Sequence, residues 1–258
     1  MGACIGRRLR VDYPDSREHT RTWSAVGPMG RVMKNPPSSD MLGAMMAGAR
    51  TGDAVGGVGS REFQETGTGT TLTEIRWHAR GGQGGVTAAK MVAELALGQG
   101  KYFQAFPEYG PERSGAPIVA FTRVSAAPIR VYSGVEHPQM VVVLDPSLFA
   151  AVDVTRGAVD GAILLVNSEF PPAELRTKYG LQGYRLATVD ATSIALATIG
   201  RPIPNTPMVG ALTRLTGLFV LKDVVAFFRQ EYGKKFPAKV VEGNIDGLLR
   251  GYEEVCRE

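Results

Sequence analysis

Trp77-His78-Ala79-Arg80-Gly81-Gly82-Gln83-Gly84-Gly85-Val86-Thr87-Ala88-Ala89-Lys90 is the stretch that decides the fold of this chain. A short apolar segment runs into four glycines around one Gln, and a helical pattern begins at once. Glycines there let the backbone take positive φ and let another group come close to the main chain. The freed N–H groups point out of a helix start, where the macrodipole favours a negative ligand or partner. Residues 75–78 read as the strand before the loop and residues 87–97 as the helix after it. In that helix Val86, Met91, Val92, Leu95 and Ala96 fall near helical spacing.

The same alternation continues downstream. Residues 140–144 are wholly apolar and end at Asp145-Pro146, the mark of a buried parallel strand. Residues 162–166 end at Asn167-Ser168, and Arg185–Val189 ends at Asp190, with Ala191–Ile199 as the helix behind it. Residues 118–124 and 128–132 read as paired extended segments joined by a turn at Ser125-Ala126-Ala127. Residues 212–230 read as one or two apolar helices, and residues 240–255 as an amphipathic helix weakened by Gly243 and Gly247. The expected fold is α/β, an open and mostly parallel sheet flanked by helices. Polar strand ends would then line one carboxyl edge, where such sheets place their sites.

Residues 1–72 read differently, as a largely irregular N-terminal extension to an α/β domain over residues 73–258. Pro14, Pro28, Pro36 and Pro37 interrupt the extension, and residues 52–70 are mostly Gly, Thr and small side chains. That composition buries little surface against its ordering entropy. Residues 40–50 could form a Met-rich helix capped by Asp40. A leader without fixed structure and an arm that orders on a partner, anchored by Trp23 and the methionines, both fit.

Composition removes several function classes. Lys and Arg number 29 against 25 Asp and Glu in 258 residues, too even a balance for the concentrated basic face of a nucleic-acid binder. No apolar run approaches a membrane span, and no apolar region follows Arg7, Arg8 and Arg10 as a signal peptide would need. The start Met-Gly-Ala-Cys-Ile-Gly has Gly6 where an acylation signal wants Ser or Thr. Cys4 and Cys256, the two cysteines, stand at opposite ends, and an iron–sulfur cluster takes about four thiolates from its host. Sparse thiols suit a reducing, cytoplasmic setting.

The glycine loop is no P-loop, because Lys90 lies inside the helix without the preceding Gly, and it fits a dinucleotide fingerprint only approximately. Alone it reads equally as a tight turn or a binding loop. Gln83, whose amide donates and accepts, favours a loop that faces a partner. A second block, Phe106-Pro107-Glu108-Tyr109-Gly110-Pro111-Glu112-Arg113-Ser114-Gly115-Ala116-Pro117, reads as a rigid loop presenting both charges and a phenol. His78 at a strand end reads as locally hydrogen-bonded rather than catalytic, and His137 before Pro138 as part of a turn. Asn205-Thr206-Pro207-Met208-Val209-Gly210 reads as a loop entering the next helix, with a simple N-cap as the plainer alternative.

Arg80-Gly81-Gly82-Gln83-Gly84, then residues 104–117 beginning Gln104-Ala105, then Phe121-Thr122-Arg123 and Asn205-Thr206-Pro207-Met208-Val209-Gly210-Ala211 stand in a telling order. Over residues 74–231, roughly three-fifths of its length, the chain resembles the gamma subunit or equivalent domain of 2-oxoacid:ferredoxin oxidoreductases. The pyruvate and branched-chain 2-oxoacid members are the most similar. The N-terminal extension has no counterpart in that pattern. The resemblance implies a multisubunit cytoplasmic enzyme that decarboxylates a 2-oxoacid, pyruvate above all, to acyl-CoA and CO2. Its alpha, beta and delta-type partners would hold thiamine diphosphate, Mg2+ and 4Fe-4S clusters. Electrons would pass to ferredoxin, with coenzyme A as co-substrate and no nucleic acid or membrane involved. This chain alone would bind no cofactor. The candidate cofactor-binding residues are Arg80, Gly81, Gly82, Gln83, Gly84, Glu108, Tyr109, Arg113, Ser114 and Asn205, with no catalytic residue and no metal ligand. A free-standing nucleotide-dependent reductase and a non-catalytic interaction domain of the same fold stay open as alternatives.

Overall fold

Strand residues here are apolar on one or both faces, and that patterning dictates a sheet covered on two sides. The computed structural model describes residues 72–108 and 115–258. The Met-rich segment at 40–50, Trp23 and almost all of the expected extension lie outside the described residues. The strands are β1 (Thr73–Arg80), β2 (Tyr102–Glu108), β3 (Pro117–Ser125), β4 (Met140–Val143), β5 (Ile163–Asn167), β6 (Arg185–Val189) and β7 (Cys256–Arg257). The helices are α1 (Gly85–Gly98), α2 (Pro172–Tyr179), α3 (Ala191–Ile199), α4 (Asn205–Thr216), α5 (Leu221–Phe227) and α6 (Ala238–Glu254). One open sheet runs in the order β2-β3-β1-β4-β5-β6-β7. β1, β4, β5 and β6 are parallel neighbours, while β3 is antiparallel to both its neighbours and β7 to β6.

Period-two alternation splits the core into two layers. Ile75, Trp77, Ala79, Val142 and Leu165 face α1, α4 and α6, meeting Met91, Val92, Leu212 and Leu248. Val141, Val143, Leu164 and Val166 face the other way, onto Leu148 and onto Leu175 of α2. The buried Trp77 indole donates to Thr122 Oγ1 at 3.0 Å, and that hydroxyl donates to Ala89 O of α1 at 3.0 Å. Buried polar groups need such partners.

Several expectations need correction. Residues 128–132 form no strand. The antiparallel partner of β3 is instead β2, with Phe106 opposite Phe121 and Pro107 opposite Ala120. β2 therefore takes up the first part of the proline-rich block. As an edge strand it needs ladder bonds on one side only, so it tolerates Pro107. The segment after β3 is held by Arg123, a fully buried side chain that donates to Ser133 O at 2.8 Å and Gly134 O at 3.0 Å and pairs with Glu74 at 2.7 Å. Phe121-Thr122-Arg123 is thus a packing motif.

Asn205 is the first residue of α4, not a loop residue. Pro207 fits the first turn because the first N–H groups of a helix have no intrahelical acceptor. Gly243 and Gly247 are contact points rather than weak points: a Cβ on Gly243 would stand 2.7 Å from Thr198 O.

Candidate functional site

Parallel pairing of β1 with β4, in which His78 stands opposite Val143, brings the ends of these two strands side by side. The glycine loop leaves β1 at that edge and a 3-10 turn (Pro146–Ala150) leaves β4. Gly82 and Gly84 have φ of 92° and 79°, so the loop depends on residues without a Cβ. Gly84 is the N-cap of α1, and no side chain caps the helix. A Cβ on Gly84 would meet Asn205 Nδ2 at 2.7 Å. The structure thus brings Asn205, distant in sequence, against the loop.

The polar side chains of the loop turn inward. Gln83 Oε1 accepts from the Arg80 backbone N–H at 2.7 Å, and Gln83 Nε2 donates to Asp145 Oδ2 at 2.9 Å. Arg80 donates through Nε to Ser147 Oγ at 3.1 Å and through Nη1 to Gly115 O at 2.9 Å. Its Nε also lies 3.3 Å from Asp145 Oδ2. Burial of Asp145 opposes ionisation. Hydrogen bonds from Ser147 and Gln83, with the charge of Arg80, outweigh it and hold the carboxyl below its ordinary range.

Gly81 N–H donates to Ala116 O at 3.3 Å. The end of the proline-rich block therefore touches the glycine loop. Tyr109, Arg113 and Ser114 lie outside the described residues. Glu108 is exposed and lines a separate cleft of about 730 Å3 with Arg76, His78 and Arg156, to which no glycine-loop residue contributes. Asn205 borders another groove, about 700 Å3, between Met91, Ile203, Tyr232 and Phe236.

Asp145 and Ser147 were absent from the expected set. Their one sequence signal is a polar residue ending an apolar strand before Pro146. His78 is hydrogen-bonded to the backbone of Val154, while its Nε2 has no partner among the described residues. Burial first, then the neighbouring Arg76 charge, pushes its pKa down to about 4, so it is uncharged near neutrality. Among the described residues no cluster of three His, Cys, Asp or Glu side chains is placed to hold a metal. No described helix is long and apolar enough to cross a membrane.

Residues 74–254 match the pyruvate ferredoxin/flavodoxin oxidoreductase family. Pyruvate synthase subunit PorC of Thermotoga maritima is 50% identical over 186 residues, 72% of this chain and 96% of that protein. The pyruvate/ketoisovalerate oxidoreductases common subunit gamma of Pyrococcus abyssi is 46% identical over 183 residues, 71% of this chain and 97% of that one. The crystal structure of the Thermotoga maritima pyruvate oxidoreductase subunit PORC superposes with a TM-score of 0.64 at 45% identity, covering 72% of this chain and 98% of that one.

Proposed function

The chain belongs to the pyruvate ferredoxin/flavodoxin oxidoreductase family, and from that premise we propose that it serves as the gamma subunit of a 2-oxoacid:ferredoxin oxidoreductase acting on pyruvate. The observation that carries this reading is the match along nearly the whole length of relatives that are themselves pyruvate synthase or pyruvate/ketoisovalerate oxidoreductase subunits. No observation favours a free-standing reductase or a non-catalytic interaction domain.

Thiamine diphosphate, Mg2+ and 4Fe-4S clusters belong to alpha, beta and delta-type partners in this reading, and ferredoxin takes the electrons. Two cysteines do not make a cluster-ligating set in this chain. The reading keeps the division into an extension over residues 1–72 and a domain over residues 73–258. A cytoplasmic location goes with it, supported by the coenzyme A chemistry of the assembly rather than by free thiols.

The contribution of this chain is to enclose the site and receive coenzyme A. The uncapped start of α1 offers backbone N–H donors suited to phosphate, and Arg113 offers a fork that suits phosphate or carboxylate. Arg80 and Gln83 keep those donors in place, since their own side chains are engaged within the chain. Asn205 backs Gly84 from α4. Glu108, Tyr109 and Ser114 belong to the surface turned toward a partner subunit.

The test separates the two half-reactions in the assembled enzyme. Arg113→Ala should raise the KM for coenzyme A by about tenfold or more, as expected for one charge-assisted hydrogen bond, and leave 2-oxoacid decarboxylation intact. Loss of decarboxylation with assembly and cofactor content normal would place the subunit at a different stage of the cycle.

A further inference from the structure

A loop rich in glycine has little conformational preference of its own, so something outside it must select its geometry. One short backbone bond, Ala88 N–H to Gly84 O at 2.8 Å, belongs to the first turn of α1; before it the backbone bonds are long, Gly81 N–H to Ala116 O at 3.3 Å and Gln83 N–H to Arg80 O at 3.2 Å. The short bonds there run through side chains, from Arg80 N–H to Gln83 Oε1 at 2.7 Å and from Gln83 Nε2 to Asp145 Oδ2 at 2.9 Å. The first ends on the Gln83 amide and the second carries it on to the Asp145 carboxylate. We propose that Asp145 is the positioning residue of the glycine loop, which acts through Gln83 and Arg80 to fix where the donors of residues 81–85 point.

The two oxygens of Asp145 divide the work. Oδ1 accepts from Ser147 N–H at 2.9 Å and from Ser147 Oγ at 2.6 Å, which caps the 3-10 turn after β4. Oδ2 accepts from Gln83 Nε2 and faces Arg80 Nε at 3.3 Å. Capping alone would use Oδ1 and leave Oδ2 to water. A carboxylate offers about four acceptor directions; here three take hydrogen bonds from within the chain, and the Arg80 guanidinium stands beside Oδ2 as an ion-pair partner. Both oxygens of Asp145 are thus committed to contacts within the chain, which suits positioning. The bond from Oδ2 joins residues 62 positions apart, so it locks the loop after β1 to the end of β4. Arg80 extends the lock to Gly115 O, the near end of the proline-rich block.

The functional consequence rests on the reading that this loop receives coenzyme A, and the experiment keeps the two claims apart. Asp145→Asn retains an acceptor for Ser147 but turns an amide N–H2 against Gln83 and Arg80, donor against donor. Gln83→Glu sets carboxylate against carboxylate. Combining the two substitutions restores a donor facing an acceptor. The amide introduced at position 145 then donates to the carboxylate introduced at position 83, which still accepts from Arg80 N–H. In the assembled enzyme each single variant should show faster amide hydrogen exchange over residues 80–85. Each should also raise the KM for coenzyme A by about tenfold, the scale of one charge-assisted bond. The double variant should recover to within about threefold of the parent, because the pair is coupled. An additive double variant, worse than either single, overturns the proposal, as does parental exchange over residues 80–85 in Asp145→Asn. Faster exchange with an unaltered KM for coenzyme A upholds Asp145 as the positioning residue and sinks the coenzyme A reading instead.

Discussion

His78 carries a buried imidazole, 5% exposed, whose Nε2 has no hydrogen-bond partner among the described residues. Burial and the Arg76 guanidinium together disfavour its protonated form and bring its pKa to about 4. Arg76 is itself fixed, donating to Arg156 O at 2.6 Å and to Val135 O at 2.9 Å. The unfolded chain binds a proton at His78 near pH 6.5, while the folded chain does not until about pH 4. Folding is therefore favoured in full above about pH 6.5, and that contribution, up to roughly 3 kcal/mol, drains away as pH falls toward 4. Urea unfolding of the purified chain between pH 7 and 4 should show this loss, and His78→Gln should flatten it. Equal slopes for the two proteins would mean that His78 titrates normally. At neutral pH the ring is therefore uncharged and cannot serve as an imidazolium acid.

Among the elements, the crossing of α4 and α6 is the least tolerant of added volume. A Cβ on Gly210 would stand 2.0 Å from Leu248 O, and one on Gly251 would stand 2.1 Å from Pro207 O. Backbone cannot move aside as a flexible side chain does, so the helices would have to part, along with Met208, Val209 and Leu248 in the core beneath. Gly210→Ala and Gly251→Ala should each cost about 3 kcal/mol or more, seen as a lower Tm. Gly98, at the end of α1, has open space around it. Gly98→Ala should be neutral or stabilise by about 0.5 kcal/mol, because it only reduces backbone freedom in the unfolded chain. A Gly210→Ala protein as stable as the parent would show that the helices do not approach so closely. This crossing matters to the site, since α4 begins with Asn205 and so determines what lies behind Gly84.

On the scale of the whole molecule, a parallel centre with antiparallel edges leaves one side of the sheet to α1, α4 and α6 and gathers the glycine loop, Asp145 and Ser147 at one end. The described part of the candidate site is thus a glycine loop held by an internal polar network. In the proposed assembly the cofactors sit with partner subunits. The purified chain should therefore carry neither iron and labile sulfide nor thiamine diphosphate in stoichiometric amount. Metal analysis together with equilibrium dialysis against thiamine diphosphate and Mg2+ checks this. One equivalent of either in the folded chain would place the redox chemistry inside this subunit.

Local chemistry was enough to read the β/α alternation, the glycine loop, the first turn of α1 and the paired strand and helix at residues 185–199. Apolar runs, glycines and caps act over a few neighbours, and each of those features is a few residues long. The family resemblance too was legible, because its motifs are short and ordered along the chain. What tertiary structure alone decided was every relation across the sheet. β3 pairs with β2 rather than with residues 128–132, since Arg123 captures the carbonyls of the segment after it. Gly243 and Gly247 look like flaws in a helix until Thr198 is seen against them. Gln83 looks free to meet a partner until β4 lies beside β1 and brings Asp145 to its amide. A side chain's hydrogen-bonding capacity is written in its residue type, but which atom uses it depends on strands that are neighbours in space and far apart in sequence.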